Sequence, residues 1–170
     1  GARRTKKLSC LHPTAAYTQP LTPDLEIFQK VASRMPGCSI VDQSEVITSL
    51  RLVKSPAEIK QINAAIKATH NGLNRLMAKL KPGVGERDLH NALVGGFAEA
   101  GSVRNAFDPI VGSGHNATVL HYKENNGVCN DGDLIVVDSG AEINGYASDI
   151  TRVFPANGKF TKEQAKLYNI

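Results

Sequence analysis

The 170 residues include no tryptophan, and aromatic side chains make up only 5% of them. Proteins that hold single-stranded nucleic acid stack the bases on exposed rings, so this composition argues against such a platform. Cysteine is equally sparse, with Cys10, Cys38 and Cys129 alone. Three widely spaced thiols do not make a disulfide framework, and the absence of a Cys-x-x-Cys pair speaks against a zinc knuckle. Free thiols of this kind fit a reducing compartment, and a cytoplasmic location is the expectation. No apolar run approaches the roughly 18 residues of a membrane helix. The first residues lack the three zones of a secretion signal. Charge of one sign is scarce too: the formal net charge is +4, part of it from Arg3, Arg4, Lys6 and Lys7. That short run reads as solvated surface rather than a patch for an acidic partner. Neither nucleic acid nor membrane is expected as a partner.

What the chain does contain is a globular balance, 41% hydrophobic and 21% charged. Thr22-Pro23 ahead of Leu25, Phe28 and Val31 predicts a helix with Thr as cap and Pro in its first turn, ending near Gly37. Ser39-Ile40-Val41 reads as a short strand. Ser55-Pro56-Ala57-Glu58 is a capping-box pattern. The long helix it opens should bury Ile59, Ile62, Ile66, Leu73, Leu76 and Leu80, and Lys81-Pro82-Gly83 should end it. A further helix is predicted over 86–100, where Gly95-Gly96 implies close packing or a kink. His70 and His90 within these helices read as ordinary polar-edge residues.

Past Ala106 the texture becomes that of strands. The spacing predicts strands over 107–111 and 134–138, a tight loop over 112–116, an extended piece beginning at Leu120-His121-Tyr122, and a turn at Asn144-Gly145. A returning strand should cover 146–154. Thr161 to Gln164 is another capping-box pattern opening a helix. The change from short mixed elements to the long helix places a boundary near Leu50 to Ser55.

Asp138 ends the apolar strand, and Asp149 lies on the returning one. A hairpin centred on Ile143-Asn144 sets the two face to face, and one centred on Asn144-Gly145 makes them diagonal neighbours. Either way they share a face of the sheet. Neighbouring carboxylates repel, and either a shared proton or a divalent cation would offset that cost. A solvent-exposed pair of hydrated carboxylates is the plainer alternative, and spacing alone leaves both open.

Val137-Asp138-Ser139-Gly140 and Gly145-Tyr146-Ala147-Ser148-Asp149-Ile150-Thr151-Arg152 are similar to the Asp-x-Gly and Gly-Tyr-x-x-Asp-Ile-Thr-Arg signature of Xaa-Pro aminopeptidases and prolidases. Upstream, the run from Ile110 to Asn116 and Leu120-His121-Tyr122 resemble the family's glycine loop and His-Tyr step. The run from Leu50 to Ile59 resembles the opening of its catalytic domain, and Asn157 to Thr161 also fits. Gly85 departs from the Thr or Ser that often caps the following helix. The resemblance is strong over 50–170 and weak before that.

This resemblance implies an α+β chain: the first half of a pita-bread fold, with an antiparallel sheet and covering helices. On this reading 1–50 is the tail of an N-terminal domain with its linker, and 51–170 an incomplete catalytic domain. It implies two divalent metal ions, manganese expected, with Asp138 a terminal ligand of one and Asp149 bridging both. His121 would hydrogen-bond the substrate or the tetrahedral intermediate. The reaction would release the N-terminal residue of peptides with proline at the second position. A prolidase or a methionine aminopeptidase is the alternative within the fold, and a non-catalytic peptide-binding module the alternative outside enzymes. The family draws one His and two Glu ligands from the second half of its fold. This chain is therefore expected to be a truncated and inactive portion that binds metal weakly. Apolar surface left without its other half makes self-association a further expectation.

Overall fold

The computed structural model describes residues 7–11 and 18–170, so Arg3, Arg4 and Lys6 of the basic run lie outside the described residues. The chain divides into two compact units at Ser55–Pro56. In the first, strand β1 (Lys7–Cys10) is followed by helix α1 (Pro23–Ala32), strand β2 (Ser39–Asp42) and helix α2 (Ser44–Leu52). The two strands pair in parallel, Leu8 opposite Ile40, as the intervening helical connection requires. The cue at Thr22-Pro23 is met, but α1 stops at Ala32, short of Gly37. Gly37 instead takes a turn at φ +79°, the left-handed region open to glycine. Helix α2 had no counterpart in the sequence reading. An Asx-type contact, Ser44 N–H to Asp42 Oδ1 at 2.8 Å, marks its start.

The second unit opens with helices α3 (Pro56–Lys79) and α4 (Glu86–Glu99). Strands β3 (Arg104–Asn105) and β4 (Ile110–Ser113) follow, then a 3₁₀ turn over Gly114–Thr118. Strands β5 (Leu134–Ser139), β6 (Ala141–Ile143), β7 (Tyr146–Ala147) and β8 (Ile150–Pro155) and helix α5 (Lys162–Tyr168) complete it. The strands form two antiparallel sheets, ordered β3-β6-β7 and β4-β5-β8. The architecture is thus α+β, with antiparallel sheets covered by helices. The capping box at α5 is complete: Gln164 N–H donates to Thr161 Oγ1 at 3.1 Å, and Thr161 N–H to Gln164 Oε1 at 2.8 Å.

The predicted inward face of α3 is only half right. Leu73 and Leu76 are buried, but Ile59 is 46% exposed. The stripe that meets the rest of the unit is Ala65, Ala68, Thr69, Gly72, Leu73 and Leu76, at the spacing of one helical face. Small residues win here because the two helices nearly touch. A Cβ on Gly96 would stand 2.6 Å from the Cα of Gly72, and one on Gly72 would stand 2.4 Å from the Phe97 ring. The glycine pair in α4 therefore marks close packing at Gly96, and α4 runs on unbroken to Glu99. Around that contact Leu76, Leu89, Leu93, Phe97, Val111, Ile135 and Val137 form the core. This puts the inner face of β4-β5 under the helices and leaves the other face free to carry polar groups.

Candidate metal centre

Strands β5 and β8 pair with Asp138 opposite Thr151, and β6 and β7 pair with Glu142 opposite Ala147. One register therefore runs through the whole hairpin. It turns at Asn144 and Gly145, whose φ angles are +51° and +83°, the double left-handed conformation of a tight two-residue hairpin turn. Of the two registers left open by the sequence, this is the diagonal one. Asp149 stands two residues before the partner of Asp138, on the same face.

The ladder is interrupted between the carboxylates. At Gly140 the hairpin passes from one sheet to the other, and a Cβ there would lie 1.8 Å from the Ser148 carbonyl oxygen. Only glycine lets the two backbones approach so closely. Ser148 is pinned in turn by a buried hydroxyl knot. Its Oγ lies 2.7 Å from Thr69 Oγ1 and 3.2 Å from the carbonyl oxygen of Ala65, and Ala141 N–H donates to Thr69 Oγ1 at 2.9 Å. Asp149 thus leaves a point fixed to α3. Asp138 is half-buried, and its Oδ1 accepts from Thr151 Oγ1 at 2.8 Å.

Both aspartates line one cleft of about 360 Å³, together with His121, Phe107, Ile110, Asp108 and Lys123. The structure brings all three sequence-derived candidates to the same hollow. Lys123 Nζ and Asp108 Oδ2 pair at 2.9 Å on its rim. That ion pair holds the Asp108 carboxyl below its ordinary range.

His121 arrives differently from the extended piece expected at 120–122. It sits in a turn, exposed, at φ +53°. The reason lies in the next residue. Tyr122 is buried, and its hydroxyl donates to Glu86 Oε2 at 2.7 Å. Glu86, at the start of α4, is wholly buried. Its Oε1 accepts from Ser113 N–H at 2.8 Å, Ser113 Oγ at 2.9 Å and Asn116 Nδ2 at 3.0 Å. Its Oε2 also accepts from Gly127 N–H at 2.8 Å. Burial raises the Glu86 carboxyl's affinity for a proton, but these donors outweigh it and hold the group below the usual carboxylate range. Burial, with the bond to Glu86, pushes the Tyr122 hydroxyl up. Sequence reasoning missed Glu86 as the acceptor on which these donors converge. An acidic residue in a first helical turn is ordinarily read as a helix-dipole partner, and nothing local announces its distant donors.

Two carboxylates on one face are hard oxygen donors, the set preferred by manganese, magnesium and calcium. They fit a divalent cation but do not complete its shell. Among the described residues no group of three or more His, Cys, Asp or Glu could hold a metal ion.

The sequence family described as metallopeptidase family M24 matches residues 60–170. An Xaa-Pro aminopeptidase of Escherichia coli K12 is 42% identical over 132 residues, covering 78% of this chain and 30% of the relative. The solved structure of proline aminopeptidase P II from Yersinia pestis superposes with a TM-score of 0.83 at 32% identity, covering 98% of this chain and 39% of that one. A zinc-substituted E. coli aminopeptidase P in complex with product gives 0.77 at 38% identity, covering 86% and 34%. The chain thus spans about a third of the length of these relatives.

Proposed function

The chain belongs to metallopeptidase family M24, and on that premise we propose that it carries the aspartate half of the metal centre of an Xaa-Pro aminopeptidase. The observation that supports the reading most directly is the cleft shared by His121 with Asp138 and Asp149, the two aspartates carried on a hairpin of one register. The relatives' names carry the substrate class, peptides with proline at the second position. Asp138 and Asp149 would hold the cations, manganese being our expectation. Bound there, a pair of divalent ions would polarise the scissile carbonyl and lower the pKa of an attacking water.

The chain's own groups have separable tasks. Asp138, whose Oδ1 is steadied by Thr151, lines the cleft as one carboxylate donor. Asp149, exposed and one residue beyond the Ser148 knot, would be the second carboxylate to hold the cations. His121 stands at the mouth with an imidazole able to donate a hydrogen bond to the carbonyl under attack. Phe107 and Ile110 supply an apolar wall beside it. With two aspartate ligands among the described residues, this chain by itself is expected to bind manganese weakly and not to turn over peptide.

Calorimetric titration with manganese, alongside a Gly-Pro-Xaa peptide assay, tests both parts. The reading expects weak heat that is lost in Asp138→Asn and Asp149→Asn, and no hydrolysis. Binding untouched by both substitutions would remove the ligand assignment. Turnover by this chain would remove the claim that its donor set is insufficient.

A further inference from the structure

The proposed chemistry gives no reason for a buried carboxylate at the start of α4. Glu86 has no solvent exposure and takes part in none of the ion pairs among the described residues. A buried charge is strongly disfavoured unless hydrogen bonds replace its water. Here five donors do so, and they come from the end of β4 (Ser113), the 3₁₀ turn (Asn116) and the segment from Tyr122 to Gly127. Every one of these flanks His121. Asn126 N–H adds a bond to the Tyr122 hydroxyl at 3.2 Å. A Cβ on Gly127 would stand 2.7 Å from Glu86 Oε1, so the segment closes on the carboxylate too tightly for a side chain there.

His121, by contrast, has no regular ladder around it. Its left-handed backbone costs roughly 1 kcal/mol for a residue with a Cβ, and such a conformation persists only when its surroundings over-determine it.

We propose that Glu86 is the positioning residue for His121: its buried anion gathers residues 113–127 and, through Tyr122, holds the histidine at the mouth of the aspartate cleft. Glu86 itself does not line that cleft. The inference rests on the reading of His121 as the substrate-facing group. The negative charge is essential, because all five partners are donors. A glutamine would keep one acceptor oxygen and turn an NH2 group toward donors on the other side, so an isosteric exchange still breaks part of the set.

The test compares the whole 170-residue chain with its Tyr122→Phe and Glu86→Gln variants by nuclear magnetic resonance, without metal or peptide. Both variants should shift and broaden the His121 ring signals. Amide exchange across 113–127 should speed up by about tenfold or more, while α3 and β5 keep their protection, as local opening requires. Unchanged His121 signals in a folded variant would overturn the proposal. So would a loss of protection spread evenly over α3, β5 and the loop, since that is the mark of general destabilisation. If Glu86→Gln does not fold, Tyr122→Phe decides the matter: it keeps the carboxylate and removes the hydroxyl that links it to the residue next to His121, together with that hydroxyl's bonds to Asn116 and Asn126. Since the readout uses neither metal nor substrate, a negative result here is distinguishable from a failure of the peptidase reading.

Discussion

Asp138 and Asp149 ride on a hairpin placed by strand register, whereas His121 rides on a turn placed by side chains that converge on one buried carboxylate. The hairpin's precision is regular. Asn144-Gly145 sets one register that holds on both sides of the crossing at Gly140, with Glu142 opposite Ala147 and Asp138 opposite Thr151. The loop's precision depends on a few long-range bonds to a residue that precedes it by 27 to 41 positions. Both routes can aim a side chain to the same cleft, but they should fail differently. A fault in the hairpin should be felt through the whole sheet, and a fault at Glu86 should loosen the loop first.

The sharpest way to break the comparison is at Gly140. With 1.8 Å between a Cβ and a backbone carbonyl, Gly140→Ala should destabilise by about 4 kcal/mol or more, or prevent folding altogether. Urea unfolding measures this, and a near-unchanged midpoint would mean the crossing is not pinned there.

The next effect belongs to Glu86. Glu86→Ala leaves buried donors unmet and should cost about 3 kcal/mol. Its folded carboxyl lies below the ordinary range, so its contribution is complete above the unfolded value of about 4.3. That contribution is lost as the pH falls through the lower folded value. The stability of the wild-type chain should therefore drop with acid below about pH 4.5, and the Glu86→Gln variant should show a shallower slope. Equal slopes would show that the anion is not what the loop needs.

The smallest effect sharpens the contrast from the hairpin side. Ser139 is fully buried beside Asp138, and its hydroxyl has no partner among the described residues. Ser139→Ala should be neutral or stabilise by up to ~1 kcal/mol. A clear loss of stability would reveal a bond that the present arrangement does not include.

These differences also explain what could be read from the amino acids. The run from Leu134 to Asp138, the Asn144-Gly145 turn and the Thr161–Gln164 cap are local signals, and the structure shows each of them. The diagonal placing of Asp138 and Asp149 was one of two registers, because periodicity fixes the face but not the centre of the turn. The crossing at Gly140 was invisible, since it depends on how near the Ser148 backbone comes. On α3 the isoleucines suggested a face that close approach to α4 overrode, in favour of Ala65, Ala68 and Gly72. Leu120-His121-Tyr122 looked extended by alternation alone, and only the distant Glu86 explains why it turns. Signals carried within about four residues were legible; those that needed a partner tens of residues away were not.

The central claim is that the two aspartates form one cation site with His121 at its edge. Manganese titration followed by paramagnetic broadening of amide and imidazole signals tests it most directly, because even weak binding broadens nuclei close to the ion. The account expects signals at Asp138, Asp149 and His121 to broaden first, at low metal, and to stay sharp in the Asp138→Asn, Asp149→Asn double variant. Broadening centred elsewhere, or persisting unchanged in that variant, would contradict it.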